Sequence, residues 1–152
     1  HATELAGPED TFVSINNDAV YSIAQVDVGD GPVRLEVPAT AGRYYVLQFV
    51  DAWTDNFAYI GHRATGTEAG VYLLVAPDWQ GDAPGDAPVI RFPTRTASII
   101  GRWAVDGEAD LPAVGELLQR GRQLHGSPRT ARAPADSFRP LVHAPRPRGG
   151  SR

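Results

Sequence analysis

Polar side chains that could act in catalysis or binding come directly before the first apolar run of the chain. Asn16, Asn17 and Asp18 stand in the stretch SINNDAVYS, residues 14–22, with Tyr21 close behind. Asp18 could serve as a base or a ligand at the end of a β domain, beside the Tyr21 hydroxyl. The same side chains also accept local backbone N–H bonds and form turns. We favour the turn, and we expect the Tyr21 ring to be packed.

A second candidate group lies in RYYVLQFV, where Arg43 precedes two tyrosines and Tyr45 begins an apolar run. An arginine fork can hold a carboxylate or phosphate through two parallel hydrogen bonds. It can equally pair with an acidic residue of its own domain, and Asp18, Asp27 and Asp51 are possible partners. Because acidic residues are numerous in this part of the chain, we favour an ion pair within the domain over binding of a ligand by Arg43.

The stretch DAWTDN, residues 51–56, contains Asp51, Trp53, Asp55 and Asn56. Carboxylate and amide oxygens are ligands for Ca²⁺. The D-x-D-x-D-G spacing of a calcium loop is absent, however, so the sequence predicts no calcium site here.

His62 and Arg63 follow in GHRATG, where His62 could act as a general base oriented by an aspartate. Zinc needs three or four ligands, and the other histidines stand at positions 1, 125 and 143. No G-x-S-x-G, P-loop or G-x-G-x-x-G motif occurs. We therefore predict neither a metal nor a cofactor.

Thr94 and Arg102 belong to the last apolar run of the β region. Arg102 could stack on the neighbouring Trp103 or bind an anion. Alternatively, it forms an ion pair on a solvent-exposed sheet face, which contributes little to stability.

The charge of the chain is divided unevenly along its length. Residues 126–152 contain six Arg and one acid, a net charge of +5, so residues 1–125 must carry −9 of the total of −4. An acidic body repels nucleic acid, and no apolar run is long enough to span a membrane. The first residues show no signal peptide, and the cellular location stays open.

Apolar residues alternate along several short runs, which is typical of strands. Strands are predicted at 20–28, 33–37, 43–53, 70–77, 89–92 and 96–105. We expect the first two to form a hairpin through GDGP, the third and fourth to be central, and Gly101 to mark a bulge. One helix is predicted at about 110–124, with Asp110 as its cap and Leu124 in its apolar stripe.

These elements predict a mainly-β fold, a β-sandwich with one C-terminal helix. Residues 13–124 would form the sandwich, after a frayed segment at 1–12. Residues 125–152, rich in Arg and Pro, are expected to be a disordered tail.

Several motifs in order resemble a bacterial family, the domain of unknown function 1254. NNDAVYS (16–22) is similar to its N-x-D-T-L-Y-S signature, and the region 31–81 follows its G-P-V, G-R-Y-Y and G-x-R-x-T-G order. PDWQG (77–81) and the segment 93–114 match its later motifs, with Trp103 in place of the family's Thr. The resemblance covers about residues 12–123.

The resemblance implies an immunoglobulin-like antiparallel β-sandwich. Members usually carry a second β domain, of unknown function 1214, which is missing from this sequence, and many are exported. We expect a module that binds a small anionic or amphipathic ligand, or that docks on a second β domain or a second copy through an exposed sheet face. The alternative is a metal-independent hydrolase or lyase using Asp18, Tyr21, Arg43 and Asp51.

Overall fold

Buried residues alternate with more exposed ones along most of the longer strands of the computed structural model, which describes residues 18–120 and the strand at 124–126. The strands and helices are β1 (Ala19–Asp27), β2 (Val33–Val37), β3 (Tyr45–Asp51), β4 (Asn56–Gly61), β5 (Gly70–Val75), β6 (Val89–Arg91), β7 (Thr96–Ala104), a 3₁₀ turn (Glu108–Asp110), α1 (Leu111–Arg120) and β8 (Leu124–Gly126). The predicted mainly-β fold with one C-terminal helix is therefore confirmed, although a short strand, β8, follows that helix. The predicted frayed segment 1–12 lies outside the described residues, and so does the predicted tail 125–152 except for residues 125 and 126, which belong to β8.

The strands form two four-stranded sheets with the orders β1-β7-β3-β4 and β6-β5-β2-β8, called here the first and second sheet. All pairs are antiparallel except β5 and β6, which are parallel. Alternate residues of both sheets are buried in one common core, as in a sandwich. β3 and β5 are central strands, as predicted, and β2 and β7 also lie between two neighbours.

The predicted hairpin between β1 and β2 is wrong, because the two strands belong to different sheets. The GDGP turn carries the chain across the sandwich and does not fold it back. Arg95 fixes the start of this turn through an ion pair with Asp27 at 2.9 Å, and its carbonyl accepts the Val28 N–H at 3.0 Å. Gly29 fits there because a Cβ would lie 2.1 Å from the Arg95 side chain.

β4 occupies a region for which the sequence predicts no strand. It pairs with β3, and a β-bulge interrupts the register between Phe49 and Val50. The bulge lets Phe57 turn inward, where its ring lies edge-on to those of Phe49 and Phe92, with centroids 6.0 and 5.3 Å away. Such edge-to-face contacts are a favoured arrangement of buried rings.

The core of the first sheet contains a tyrosine stacked on a tryptophan. The rings of Tyr45 and Trp103 are 4.9 Å apart, and the Trp103 indole N–H donates to the Ser22 hydroxyl at 3.2 Å. Gly101 pairs in regular register with Ser22 and Leu47, so the predicted bulge at this glycine is wrong. A Cβ at Gly101 would lie 2.2 Å from the Ser22 hydroxyl, so glycine provides room for this buried bond.

The helix is shorter than predicted and ends at Arg120. Val114, Leu117 and Leu118 are its buried residues and complete the core. Leu124 is not in the helix but pairs with Leu35 in β8. No helix in the described ranges is long and apolar enough to cross a membrane.

Candidate functional site

Arg43 forms a structural tie, as favoured from the sequence, with a partner that was not foreseen. Its guanidinium donates to both carboxylate oxygens of Asp110, in one case at 2.7 Å, and to the Ala104 carbonyl at 2.7 Å. Asp110 also accepts the Asp106 N–H at 2.9 Å. Its hydrogen bonds to the Arg43 guanidinium lower the pKa of Asp110 to about 2. Asp110 thus joins the start of the helix to the first sheet.

Asp51 organises the turn between β3 and β4. Its Oδ1 accepts the N–H groups of Trp53 at 2.8 Å and Asp55 at 3.0 Å, and its own N–H donates to the Asp55 carbonyl. The carboxylate is therefore bonded within its own turn, while the Trp53 side chain at the tip remains 77% exposed. Within residues 18–120, no three His, Asp or Glu side chains converge as metal ligands would.

Thr94 and Asn56 also make local structural bonds. The Thr94 hydroxyl accepts the Ala52 N–H at 3.1 Å and donates to the Thr96 carbonyl at 2.7 Å. The Asn56 carbonyl oxygen accepts a hydrogen bond from the Gln48 amide across β3 and β4. Both residues hold the same end of the first sheet together.

Tyr45 is a core residue with only 1% of its surface exposed. Burial raises its pKa, against a hydrogen bond with the Thr65 side chain that lowers it. A ligand on the protein surface therefore does not meet this ring.

In the turn Gly61–Gly66, sequence GHRATG, the carbonyl of the first residue accepts hydrogen bonds from the last three. The Gly61 C=O accepts the N–H groups of Ala64, Thr65 and Gly66 at 2.8–3.1 Å, and the Gly61 N–H donates to the Thr65 hydroxyl at 3.1 Å. The backbone N–H of His62 donates to the Tyr45 carbonyl at 3.0 Å. These bonds fix the direction in which the turn presents its side chains.

His62 and Arg63 are presented beside Tyr44. The His62 ring lies 5.9 Å from the Tyr44 ring, and the Arg63 guanidinium carbon lies 5.6 Å from its centroid. This spacing is that of a cation–π contact. Tyr44 itself is 42% exposed, because Tyr45 turns inward and the preceding residue must face outward.

Tyr21 and Arg102 form a second pair of the same kind. They are opposite each other on β1 and β7, and the Arg102 guanidinium carbon lies 5.6 Å from the Tyr21 centroid. Arg102 does not stack on Trp103, one of the alternatives left open by the sequence, because neighbouring residues of a strand face opposite sides and Trp103 is buried.

The two pairs are neighbours on the outer face of the first sheet. Arg102 lies opposite Val46 on β3, and Tyr44 precedes Val46 by two residues, so Tyr44 is diagonally next to Arg102. We call this set the tyrosine–arginine surface; it comprises Tyr21, Tyr44, His62, Arg63 and Arg102. Within residues 18–120, neither of its arginines forms a salt bridge.

The structure thus brings four residues singled out from the sequence, Tyr21, His62, Arg63 and Arg102, onto one face. Tyr44 was not among the residues singled out from the sequence. Its position directly before the buried Tyr45 in a strand indicates an outward side chain. Asp18 is exposed at the start of β1, where its carbonyl accepts the Val105 N–H at 2.8 Å. Residues 16 and 17 lie outside the described part of the chain, so the role of Asn16 and Asn17 stays a prediction.

Beside the tyrosine–arginine surface lies an apolar band on the same face. Ile23 and Ile100 face each other across β1 and β7, and Val46 and Val50 lie on β3 on either side of the polar Gln48; the four apolar side chains are half-buried. Tyr59 on β4 continues the band and is 49% exposed. The outer face thus joins cationic and apolar side chains.

Comparisons with known proteins agree with the motifs. The family described as "Protein of unknown function (DUF1254)" matches residues 1–125. The crystal structure of the VPA0106 protein from Vibrio parahaemolyticus is similar, with 28% identity and a TM-score of 0.66 over 70% of this chain. The match covers 27% of that protein, so this chain spans about a quarter of its length. No curated protein gives a significant match.

Proposed function

This chain belongs to the DUF1254 family of proteins of unknown function, and we propose that its β-sandwich is a recognition module. Its ligand is a small molecule with one anionic group and an apolar or aromatic body. The observation that supports this most directly is the placement of two tyrosine–arginine pairs as neighbours on one outer sheet face.

The chemistry of the surface supports such a ligand. Guanidinium groups present several N–H donors in a plane, which suits carboxylate and phosphate. The rings of Tyr21 and Tyr44 hold Arg102 and Arg63 by cation–π contact without neutralising their charge. The exposed part of each ring, with the apolar band beside it, offers a platform for the body of the ligand.

The bonding of the other candidates also favours recognition. A hydrolase or lyase would use Arg43 and Asp51, yet both side chains are engaged in bonds that hold the helix and the β3–β4 turn. Docking of a second β domain, the other role expected from the sequence, would rely on the apolar band. Variants that remove charge from the tyrosine–arginine surface therefore distinguish small-ligand binding from docking.

The test is a calorimetric titration of the chain with phenyl phosphate, an anion with an aromatic body. Inorganic phosphate and phenol, the two halves of this probe, are titrated for comparison. We expect phenyl phosphate to bind more tightly than either half. Arg102→Gln and Arg63→Gln should each weaken binding roughly tenfold, which corresponds to about 1.4 kcal/mol.

The matched control is Arg34→Gln, which removes an exposed arginine from the outer face of the second sheet. This variant should bind phenyl phosphate as the wild type does. If phenyl phosphate shows no saturable binding, or if Arg34→Gln weakens it as much as Arg102→Gln, the proposal is wrong.

A further inference from the structure

β1 is an outer strand of the first sheet, and its hydrogen bonds show which of its backbone groups face away from the sheet. At one end the Val105 N–H donates to the Asp18 carbonyl, and at the other the Val28 N–H donates to the Arg95 carbonyl. Both contacts follow the register of β1 with β7. Because hydrogen-bonded positions alternate along an antiparallel pair, the even-numbered residues of β1 bond to β7.

The odd-numbered residues therefore direct their N–H and C=O groups to the open edge. These residues are Ala19, Tyr21, Ile23, Gln25 and Asp27. No described residue bonds to these backbone groups. Such a row of unpaired groups is a template for another strand.

Within the part of the chain that the structure describes, the other three outer strands are protected against added strands, whereas β1 is not. β6 and β8 are three residues long, and the pairing of β4 is interrupted by a bulge. β1 is nine residues long, contains no proline, and keeps one register with β7 throughout. Short strands, bulges and prolines are the usual devices that prevent edge-to-edge pairing.

We propose that a second copy of this chain pairs with β1 in antiparallel orientation about a two-fold axis at Ile23. The two first sheets then form one continuous sheet, with about ten hydrogen bonds between the copies. This register places odd-numbered residues opposite odd-numbered residues, as the outward backbone groups require. The inference rests on backbone geometry and is independent of the proposed ligand.

The side chains suit self-pairing in this register. Ile23 faces Ile23 of the second copy, Tyr21 faces Gln25, and Asp27 faces Ala19, so no two like charges are opposite each other. Centring on Ile23 also uses the whole length of β1, which a shift of the axis to Tyr21 or Gln25 would not.

The test is sedimentation equilibrium of the full chain over a series of concentrations. The wild type should show a weight-average mass that rises to twice the monomer value. Ile23→Lys places two like charges opposite each other at the axis and should stay monomeric at every concentration. An equimolar mixture of Ile23→Lys and Ile23→Glu should recover the doubled mass.

The matched control is Ile100→Lys, which changes the residue opposite Ile23 on β7, on the same face but away from the edge. It should dimerise as the wild type does. Circular dichroism confirms that each variant is folded.

Several results would overturn the proposal. They are a wild type that remains monomeric, an Ile23→Lys variant that still dimerises, and an Ile100→Lys variant that dissociates equally. Slow amide hydrogen exchange at Tyr21, Ile23 and Gln25 in a monomer would also overturn it, because residues of the same chain would then cover the edge.

Discussion

Removing the carboxylate of Asp110 should destabilise the fold in a pH-dependent manner. Asp110 has a pKa of about 2 in the folded chain, compared with the usual 3.8, because it accepts hydrogen bonds from Arg43. A shift of this size corresponds to about 2 kcal/mol of stability at most. The two side chains are 25% and 18% exposed, so screening by water lowers the expected value to about 1–2 kcal/mol.

The lowered pKa of Asp110 determines how the stability of the fold changes with pH. Because the folded pKa lies below the unfolded one, the ion pair contributes its full stability above about pH 4 and loses it as the pH falls toward 2. Asp110→Asn should therefore be less stable than the wild type at pH 7, and the difference should shrink between pH 4 and pH 2.

The assay is urea unfolding followed by circular dichroism at several pH values. Glu36→Gln is the control, since the exposed pair of Glu36 and Arg34 should contribute less than about 0.5 kcal/mol. A difference between Asp110→Asn and the wild type that stays constant from pH 7 to pH 2 would refute the electrostatic explanation. So would a difference at pH 7 no larger than that of the control.

Three further substitutions test the backbone and the core by the same unfolding assay. Gly101→Ala should cost at least about 2 kcal/mol, because its methyl group would lie 2.2 Å from the Ser22 hydroxyl; unchanged stability would contradict this packing. Gly61→Ala should cost at least as much, because φ is +151° and a Cβ would lie 2.3 Å from the Tyr45 carbonyl oxygen; a fully stable variant would show that the turn is built differently. Thr54→Gly should stabilise the fold by about 0.5–1 kcal/mol, because Thr54 has a φ of +72°, and any loss of stability would contradict this reading of the turn.

The strands with clear alternation could be predicted from the sequence, but their neighbours could not. β1 and β2 each show one apolar face, and this pattern is the same whether they pair with each other or lie in opposite sheets. β4 was missed because its bulge shifts the alternation at Phe57 and its outward residues are polar or aromatic. The position of Leu124 agrees with the apolar face of the predicted helix and equally with a short strand. Its pairing with Leu35 in the structure shows that it belongs to a strand.

The candidate surface could be predicted in its parts and not in its assembly. The aromatic and cationic residue types stood out in the sequence. Outside this surface, Arg43 was expected to pair with an acidic residue of its own domain, and it does so. Its partner, Asp110, lies 67 positions further along the chain, and no periodicity links the two. Likewise, Arg102 meets Tyr21 only because β1 and β7 are paired, which is a property of topology.

The crossing of the chain from β1 to the second sheet has a consequence for folding. Among the described strands, β1 pairs with β7 alone, so Ala19 must meet Ala104, which lies almost at the far end of the described residues. Folds dominated by such distant pairings form on the order of milliseconds to seconds, far more slowly than helical bundles. At a synthesis rate of roughly 5–20 residues per second, several seconds pass between the synthesis of β1 and that of β7, and β1 has no partner strand during this time. A chain that stops before Thr96 lacks the strand that joins β1 to β3, and its first sheet cannot assemble.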